Sequence, residues 1–108
     1  MILDIHSEKE FDQEIGDAKG YVLLDFYAVW CRPCKMMGVV LEKADAAVGD
    51  KVKFCRINTE EMEDFTERFD LVGVPTFILF KDGKETGRII GYNDTQTFLG
   101  KLEKLMEK

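Results

Sequence analysis

The pattern of apolar and polar positions predicts four strands. The segment YVLLDFY at 21–27 is almost continuously apolar, which is typical of a strand covered on both faces, and KVKFCRI at 51–57 predicts a second buried strand. Asp25 is the only charge in the first of these strands. The run VPTFILFKDGKETGRII predicts two antiparallel strands around a tight turn at Asp82–Gly83, because both turn positions can take positive φ.

Apolar residues also recur at helical spacing in four segments. SEKEFDQEI predicts a short helix with a capping box that starts at Ser7, and a longer pattern runs from residue 33 to residue 48. TEEMEDFTERF predicts a helix capped by Thr59. NDTQTFLGKLEKLMEK predicts a last helix, with Asn93 and Gln96 as its capping pair.

The order of these elements predicts a layered α/β architecture. Helices separate the early strands, so those strands can run parallel through right-handed crossovers, whereas the final hairpin adds an antiparallel edge. Helices must then cover both faces of a mixed sheet. The 108 residues contain no repeat, low-complexity tract or linker, so we expect residues 1–108 to form a single domain.

Composition and charge narrow the classes of function. Apolar residues at 45% and charged residues at 33% are typical of a globular protein that folds alone. The formal charge of −6 and the lack of a Lys/Arg cluster argue against a nucleic-acid partner. The N-terminal residues lack the pattern of a secretory signal, and no apolar run approaches a membrane span. We therefore expect a cytoplasmic protein without a membrane partner.

The three cysteines fall into a close pair and a single residue. In a reducing compartment, the pair Cys31 and Cys34 indicates metal binding or catalysis rather than a structural disulfide. A structural zinc site needs four ligands, and only Cys55 and His6 remain, so we expect no metal site. Cys55 lies mid-strand, where a buried, inert thiol is the expectation and a regulatory second thiol the alternative. His6 is expected to face solvent.

The pair lies where a strand gives way to a helix, and this position favours redox chemistry. Two residues three apart in a first helical turn are neighbours, so their thiols can form a disulfide without unfolding the chain. Unpaired N–H groups and the positive end of the helix dipole favour the thiolate of Cys31, which predicts that Cys31 is the nucleophile and that Cys34 resolves the mixed disulfide. Pro33 fits the first turn of a helix, because a backbone N–H in that turn has no acceptor within the helix and its absence breaks no hydrogen bond.

Three segments of the sequence resemble those of a known family. DFYAVWCRPCKMM, followed about forty residues later by GVPTFILFKDG and then IIGY, is similar to the thioredoxin family, and the order of elements matches along essentially the whole chain. The resemblance implies the thioredoxin fold, in which four helices flank a central mixed sheet of about five strands. It also implies a protein-disulfide reductase and electron carrier, monomeric and without a bound cofactor. Its partners would be disulfide-containing clients and a thioredoxin reductase supplied by NADPH through a flavin or by ferredoxin.

The resemblance also implies roles for individual residues. Asp25 matches a buried carboxylate beneath the dithiol that takes the proton of the inner cysteine, often through water. Its apolar surroundings in the strand independently predict a raised pKa, unless it lies at a frayed strand edge. Pro75 matches a cis-proline that faces the dithiol and leaves the backbone of Val74 free to pair with a client peptide. A flat apolar surface around the nucleophile would be formed by Trp30, Gly73, Val74, Pro75 and Gly91, although Trp30 could instead be a core residue.

Two charged residues depart from the pattern of the family. Arg32 stands where the family most often has glycine, and we expect its charge either to stabilise the Cys31 thiolate, making the pair more oxidising, or only to bias partner choice. Arg56 stands where a lysine is usual and, if it pairs with Asp25, should hold that carboxylate ionised more firmly than lysine. Together with Lys35, Arg56 is a candidate for tuning the site.

Two other functions remain open for the same fold. An oxidase or isomerase would use the dithiol at a higher redox potential, which Arg32 could raise. A non-redox interaction module would keep the fold with an idle dithiol, and the presence of Asp25, Trp30, both paired cysteines and Pro75 argues against it.

Overall fold

The computed structural model describes all residues from Met1 to Lys108. Its elements follow the chain in this order: β1 Ile2–Ile5, α1 Glu8–Phe11 with a π-helical turn at Asp12–Gly16, β2 Tyr21–Tyr27, α2 Arg32–Val48, β3 Val52–Asn58, α3 Glu63–Glu67, β4 Thr76–Lys81, β5 Lys84–Ile90 and α4 Thr95–Met106. None of these helices combines the length and the apolar character that a membrane span requires.

The five strands form one mixed sheet in the order β1-β3-β2-β4-β5. β1 and β2 both pair with β3 in parallel, whereas β4 pairs antiparallel with β2 and with β5. The predicted parallel centre and antiparallel edge are therefore confirmed. The hairpin turn is also confirmed, because Asp82 and Gly83 both have positive φ, 51° and 82°.

Two apolar layers lie on opposite faces of the sheet. On one face α2 and α4 pack on Leu23, Phe54 and Phe77. On the other face the N-terminal helix and α3 pack on Leu24 and Phe26. Because side chains alternate along a strand, Leu23, Asp25 and Tyr27 share the face that α2 covers. This places Asp25 under the beginning of α2.

The structure corrects two of the predicted caps. Asp94, not Asn93 with Gln96, caps α4, and its carboxylate accepts the N–H of Thr97 at 2.8 Å. Asn93 is buried and donates its amide to the carbonyl of Gly91. Thr59 does not cap α3, because its hydroxyl donates to the carbonyl of Tyr27 and the helix begins only at Glu63.

The beginning of the chain differs from the prediction in two ways. Residues 2–5 form β1, an edge strand that the hydrophobic pattern does not delimit. Ser7 caps α1 as predicted, since its Oγ accepts the N–H of Glu10, but the carboxylate of Glu10 accepts from the N–H of His6 instead of returning to Ser7. His6 is exposed as expected, and its Nδ1 lies 2.8 Å from Glu61, a partner that is remote in sequence.

Candidate active site

The dithiol lies at the N-terminus of α2. Cys31 is the N-cap of this helix and Pro33 lies in its first turn. The Cα atoms of Cys31 and Cys34 are 5.2 Å apart and their sulfurs are at disulfide distance. The backbone N–H of Cys34 donates to Sγ of Cys31 at 3.2 Å, so an otherwise unpaired donor of the helix end is directed at this sulfur.

The peptide between Val74 and Pro75 faces the dithiol. This peptide bond is cis, as the family resemblance implied. Sγ of Cys31 lies 3.8 Å from the carbonyl oxygen of Val74. Both paired cysteines are buried in a small cluster with Ala28, against which the side chain of Val74 packs. Residues from the strand end, the helix start and the loop before β4 thus meet at the two sulfurs.

The residues predicted to form the apolar surface differ in their exposure. Trp30 is 70% exposed, which rules out the alternative of a core tryptophan. Gly73 is also exposed and Val74 and Gly91 are half-buried, whereas Pro75 is buried and contributes no open surface of its own. Further exposed apolar side chains flank these residues in the chain, and sequence reasoning missed them: Val72, Ile90 and Tyr92. Their position next to Gly73 and Gly91 was the available signal.

Asp25 is buried completely, with 0% of its surface exposed, so the alternative of a frayed edge is wrong. Its Oδ2 accepts a hydrogen bond from Nε of Arg56 at 3.1 Å, while Oδ1 has no partner. Burial raises the pKa of Asp25 to about 6, and the charge of Arg56 opposes this rise. Desolvation is therefore stronger than the ion pair, and the carboxyl titrates close to neutral pH.

Arg56 reaches Asp25 because β3 and β2 pair in parallel with these two residues in register. The ion pair that the sequence analysis gave only as a condition is thus present. The guanidinium also lies over the ring of Tyr27, with its central carbon 4.1 Å from the ring centroid. Arg56 and Tyr27 line an open cleft of about 300 Å³ together with Cys34 and Lys35. The cleft connects solvent with Arg56 and with the inner cysteine.

The remaining candidates lie on the surface or away from the dithiol. Arg32 and Lys35 are exposed and form no ion pair within the chain. Cys55 is 1% exposed, and burial raises the pKa of its thiol to about 11. This confirms a buried thiol in β3. The chain contains no group of three or more His, Cys, Asp or Glu side chains arranged to hold a metal ion.

Comparison with known proteins gives one consistent family. A family model described as Thioredoxin matches residues 3–104. The thioredoxin of Alicyclobacillus acidocaldarius is 37% identical over 101 residues, which cover 94% of this chain and 95% of that protein. The thioredoxin of Chlamydia pneumoniae is 37% identical over 103 residues, covering 95% and 98%. The crystal structure of Malassezia sympodialis thioredoxin has a TM-score of 0.85 at 31% identity and covers 96% of this chain and 90% of its own.

Proposed function

Because the chain belongs to the thioredoxin family, we propose that Cys31 attacks the disulfide of a client protein and that Cys34 resolves the mixed disulfide. The chain is a thiol–disulfide oxidoreductase with the thioredoxin fold, and its Cys31–Cys34 pair cycles between dithiol and disulfide. In the proposed order, the Cys31 thiolate bonds to one client sulfur and expels the other as thiolate. The Cys34 thiolate then bonds to Cys31 and expels the first client sulfur, so that two electrons pass to the client.

The observation that carries this order is the hydrogen bond from the N–H of Cys34 to Sγ of Cys31. A donor at a helix N-terminus stabilises negative charge on the sulfur that accepts it, and the helix dipole acts in the same direction. Cys34 receives no such donor and lies inside the first turn of α2. The asymmetry supports Cys31 as the thiolate at neutral pH and Cys34 as the thiol that needs a proton acceptor.

We assign the proton acceptor to Asp25. A carboxyl with a pKa of about 6 takes a proton far more readily than an ordinary aspartate while remaining mostly ionised at neutral pH. Its unpartnered Oδ1 is free to accept a hydrogen bond from the thiol or from an intervening water. Both properties support transfer of the Cys34 proton to Asp25 as the mixed disulfide is resolved.

Client binding is assigned to the surface around the sulfurs. Exposed Trp30 and Pro33 supply apolar contact area, and Gly73 and Gly91 have no side chain that would hinder an approaching chain. The backbone of Val74, held by the cis bond to Pro75, is available to an extended client peptide. This arrangement favours protein disulfides over small ones, because the contacts extend well beyond the two sulfurs.

The three cations near the dithiol are proposed to tune it. Arg32 is adjacent to Cys31 in the chain and exposed, so its contribution to thiolate stability is about 1 kcal/mol or less. Lys35 lines the cleft beside Cys34, and Arg56 acts through Asp25. Arg32→Gly should raise the pKa of Cys31, measured as the pH dependence of alkylation. An unchanged titration would contradict the assignment.

The setting of the reaction is proposed from the family. We infer a monomeric cytoplasmic carrier, formed by residues 1–108 as one domain, which passes electrons from a thioredoxin reductase to client disulfides. The reductase is either a flavoprotein supplied by NADPH or a ferredoxin-dependent one. Disulfide-containing client proteins are the substrates that the thioredoxin family implies.

The experiment that tests the function is reduction of insulin disulfides by the reduced protein. We expect turnover by the wild type and by Cys55→Ser, which is the matched control because Cys55 is buried away from the dithiol. Cys31→Ser should be inactive, and Cys34→Ser should accumulate a mixed disulfide with insulin. Accumulation in Cys31→Ser instead would reverse the proposed order of attack, and no turnover by the wild type would favour a non-redox module.

The redox potential separates a reductase from an oxidase or isomerase of the same fold. Equilibration of the Cys31–Cys34 couple with glutathione measures this potential directly. We expect a value close to that of thioredoxin, about −270 mV, which is a reference value and not a result for this chain. A value near those of disulfide isomerases or stronger oxidants would assign the chain to the alternative function.

A further inference from the structure

We infer that Tyr27 is a positioning residue of the site, whose ring holds the guanidinium of Arg56 on buried Asp25 and away from exposed Asp4. The inference deepens the proposed function and rests on it, because it concerns the carboxylate assigned there as proton acceptor. Tyr27 ends β2 beside the dithiol, and its ring carries the guanidinium of Arg56 at 4.1 Å.

Three charged residues lie side by side on one face of the sheet. Asp4 of β1 and Asp25 of β2 are both in register with Arg56 of β3, one on each side. The alternation of side chains places all three on the face covered by α2, because Ile2, Leu23 and Phe54, two positions earlier in each strand, contribute to the core on that face. Arg56 therefore has two neighbouring carboxylates to choose from.

Solvation alone favours pairing with Asp4. That residue is exposed, so an ion pair there costs little desolvation, whereas pairing with completely buried Asp25 requires the guanidinium to leave most of its hydration. In the structure Arg56 nevertheless donates to Asp25 and forms no ion pair with Asp4. Its side chain remains only 25% exposed. The attraction of the buried carboxylate offsets part of the lost hydration, and the ring of Tyr27 adds a further contact on the guanidinium.

A tyrosine ring suits this task. The face of an aromatic ring attracts a guanidinium electrostatically, and the attraction strengthens when water is excluded. Unlike a second carboxylate, the ring adds no negative charge next to Asp25, so it positions the cation without itself raising the cost of ionising that group. The contact uses the ring face and not the hydroxyl, so phenylalanine should replace tyrosine here and an aliphatic residue should not.

The other groups around the pair do not provide the same restraint. Lys35 and Cys34 face the cleft from α2, and Phe77, which pairs with Asp25 from β4, carries no charge. Glu61, from the segment after β3, lies near enough to influence Tyr27 but is hydrogen-bonded to His6. Asp4 is therefore the competing partner for Arg56, and the ring of Tyr27 favours the pair with Asp25 over the pair with Asp4.

The test is a titration of the Asp25 carboxyl carbon by NMR in the oxidised protein. In Tyr27→Leu we expect the pKa of Asp25 to rise by about 0.5 or more, since the cation is no longer held against it. Tyr27→Phe should titrate like the wild type. Asp4→Asn alone should also titrate like the wild type, because Arg56 already donates to Asp25.

The decisive comparison is between Tyr27→Leu and the double variant Tyr27→Leu/Asp4→Asn. Both lack the ring and share any loss of packing, but in the double variant Arg56 has no competing carboxylate on β1. We expect the pKa of Asp25 to return at least halfway to the wild-type value. A double variant that titrates like Tyr27→Leu would overturn the inference, as would a wild-type titration in Tyr27→Leu itself.

A separate readout distinguishes this inference from the proposed role of Asp25. The pH profile of insulin reduction by Asp25→Asn tests whether the carboxylate takes part in the reaction at all. If that variant reacts like the wild type across the pH range, the role as proton acceptor fails. The titrations would still show whether Tyr27 directs Arg56, because they do not depend on turnover.

Discussion

The burial of Asp25 predicts a stability change that grows with pH. Asp25→Asn keeps the size and shape of the side chain and removes only its ability to ionise. Arg56 loses its charged partner in the variant, as it also does in the wild type whenever Asp25 is protonated. The variant is thus a close substitute for the protonated wild type at every pH, and the difference in stability between the two proteins reports the cost of ionising Asp25 in the folded state.

The size of the effect follows from the two pKa values. Burial raises the pKa of Asp25 in the folded protein from the usual 3.8 to about 6. Each unit of difference between folded and unfolded states corresponds to about 1.4 kcal/mol, so the ionised carboxylate costs about 3 kcal/mol. Because the folded pKa is raised, the folded state binds the proton more tightly. The stability from this proton is fully present below about pH 4 and is lost as pH rises through about 6.

Urea denaturation of the oxidised proteins at pH 4, 5, 6 and 8 measures the difference. We expect Asp25→Asn to be close to the wild type in its free energy of unfolding at the lowest pH and more stable by about 3 kcal/mol at the highest. Asp50→Asn, at an exposed position, is the matched control and should show no such trend. A variant that is equally stable at pH 8, or a difference that does not change with pH, would refute the reasoning.

Three further predictions concern other parts of the chain. Gly83→Ala should lower the free energy of unfolding by about 2 kcal/mol, because Gly83 has a φ of 82° and a Cβ would clash with the carbonyl of Gly16. A midpoint of urea denaturation close to that of the wild type would contradict this prediction. Iodoacetamide at pH 8 should label the reduced native protein at Cys31 and not at Cys55, because burial raises the pKa of Cys55 to about 11. Peptide mass spectrometry identifies the labelled cysteine, and rapid labelling of Cys55 would contradict the prediction. The hydrogen bond and charge of Glu61 raise the pKa of His6. Glu61→Gln should therefore lower the thermal midpoint at pH 5.5, where His6 is protonated, but not at pH 8. An equal fall of the midpoint at both pH values would exclude the ion pair.

The sequence predicts best those helices and strands that have a long, regular pattern of apolar residues. β2 has the predicted bounds, and α2 ends at the predicted residue, because long apolar patterns with clear breakers identify them. β1 is different: it is a four-residue edge strand in which only Ile5 is buried, so its pattern is too short to recognise. Its place in the sheet depends on pairing with β3, some fifty residues away.

The misplaced caps have a common physical cause. Thr59 and Asn93 are good capping residues by type, but in the folded chain each side chain bonds elsewhere. Thr59 bonds to the end of β2 through its hydroxyl. Asn93 is buried, with its backbone N–H against the sulfur of Met37 and its side-chain amide donating to the carbonyl of Gly91. Local sequence rules assign a cap from the residue and its neighbours, whereas these residues are used by contacts made across the fold.

The dithiol could be predicted from sequence because its chemistry is local. Cys31, Cys34 and the helix that begins between them lie within one turn, so spacing and helix physics are enough to predict which thiol attacks. The surface formed by Trp30 and the residues before β4 required the family resemblance, since no local rule selects a cis bond at Pro75. The cation over Tyr27 could not be predicted from either, because it depends on the register of two strands.

The same burial that makes Asp25 costly also makes it suitable as a proton acceptor. A solvated aspartate with its usual pKa of 3.8 would hold a proton too weakly near neutral pH, and a fully buried one without a cation would keep its proton throughout. Arg56 sets the balance between these limits, and unlike lysine it cannot lose its own charge to do so. Because the charge of Arg56 is fixed, only its distance from Asp25 and its orientation can change the pKa of that carboxyl. The ring of Tyr27, which we infer holds Arg56 in this position and which also packs against the cluster formed by Ala28 and the two paired cysteines, therefore belongs to the chemistry of the site.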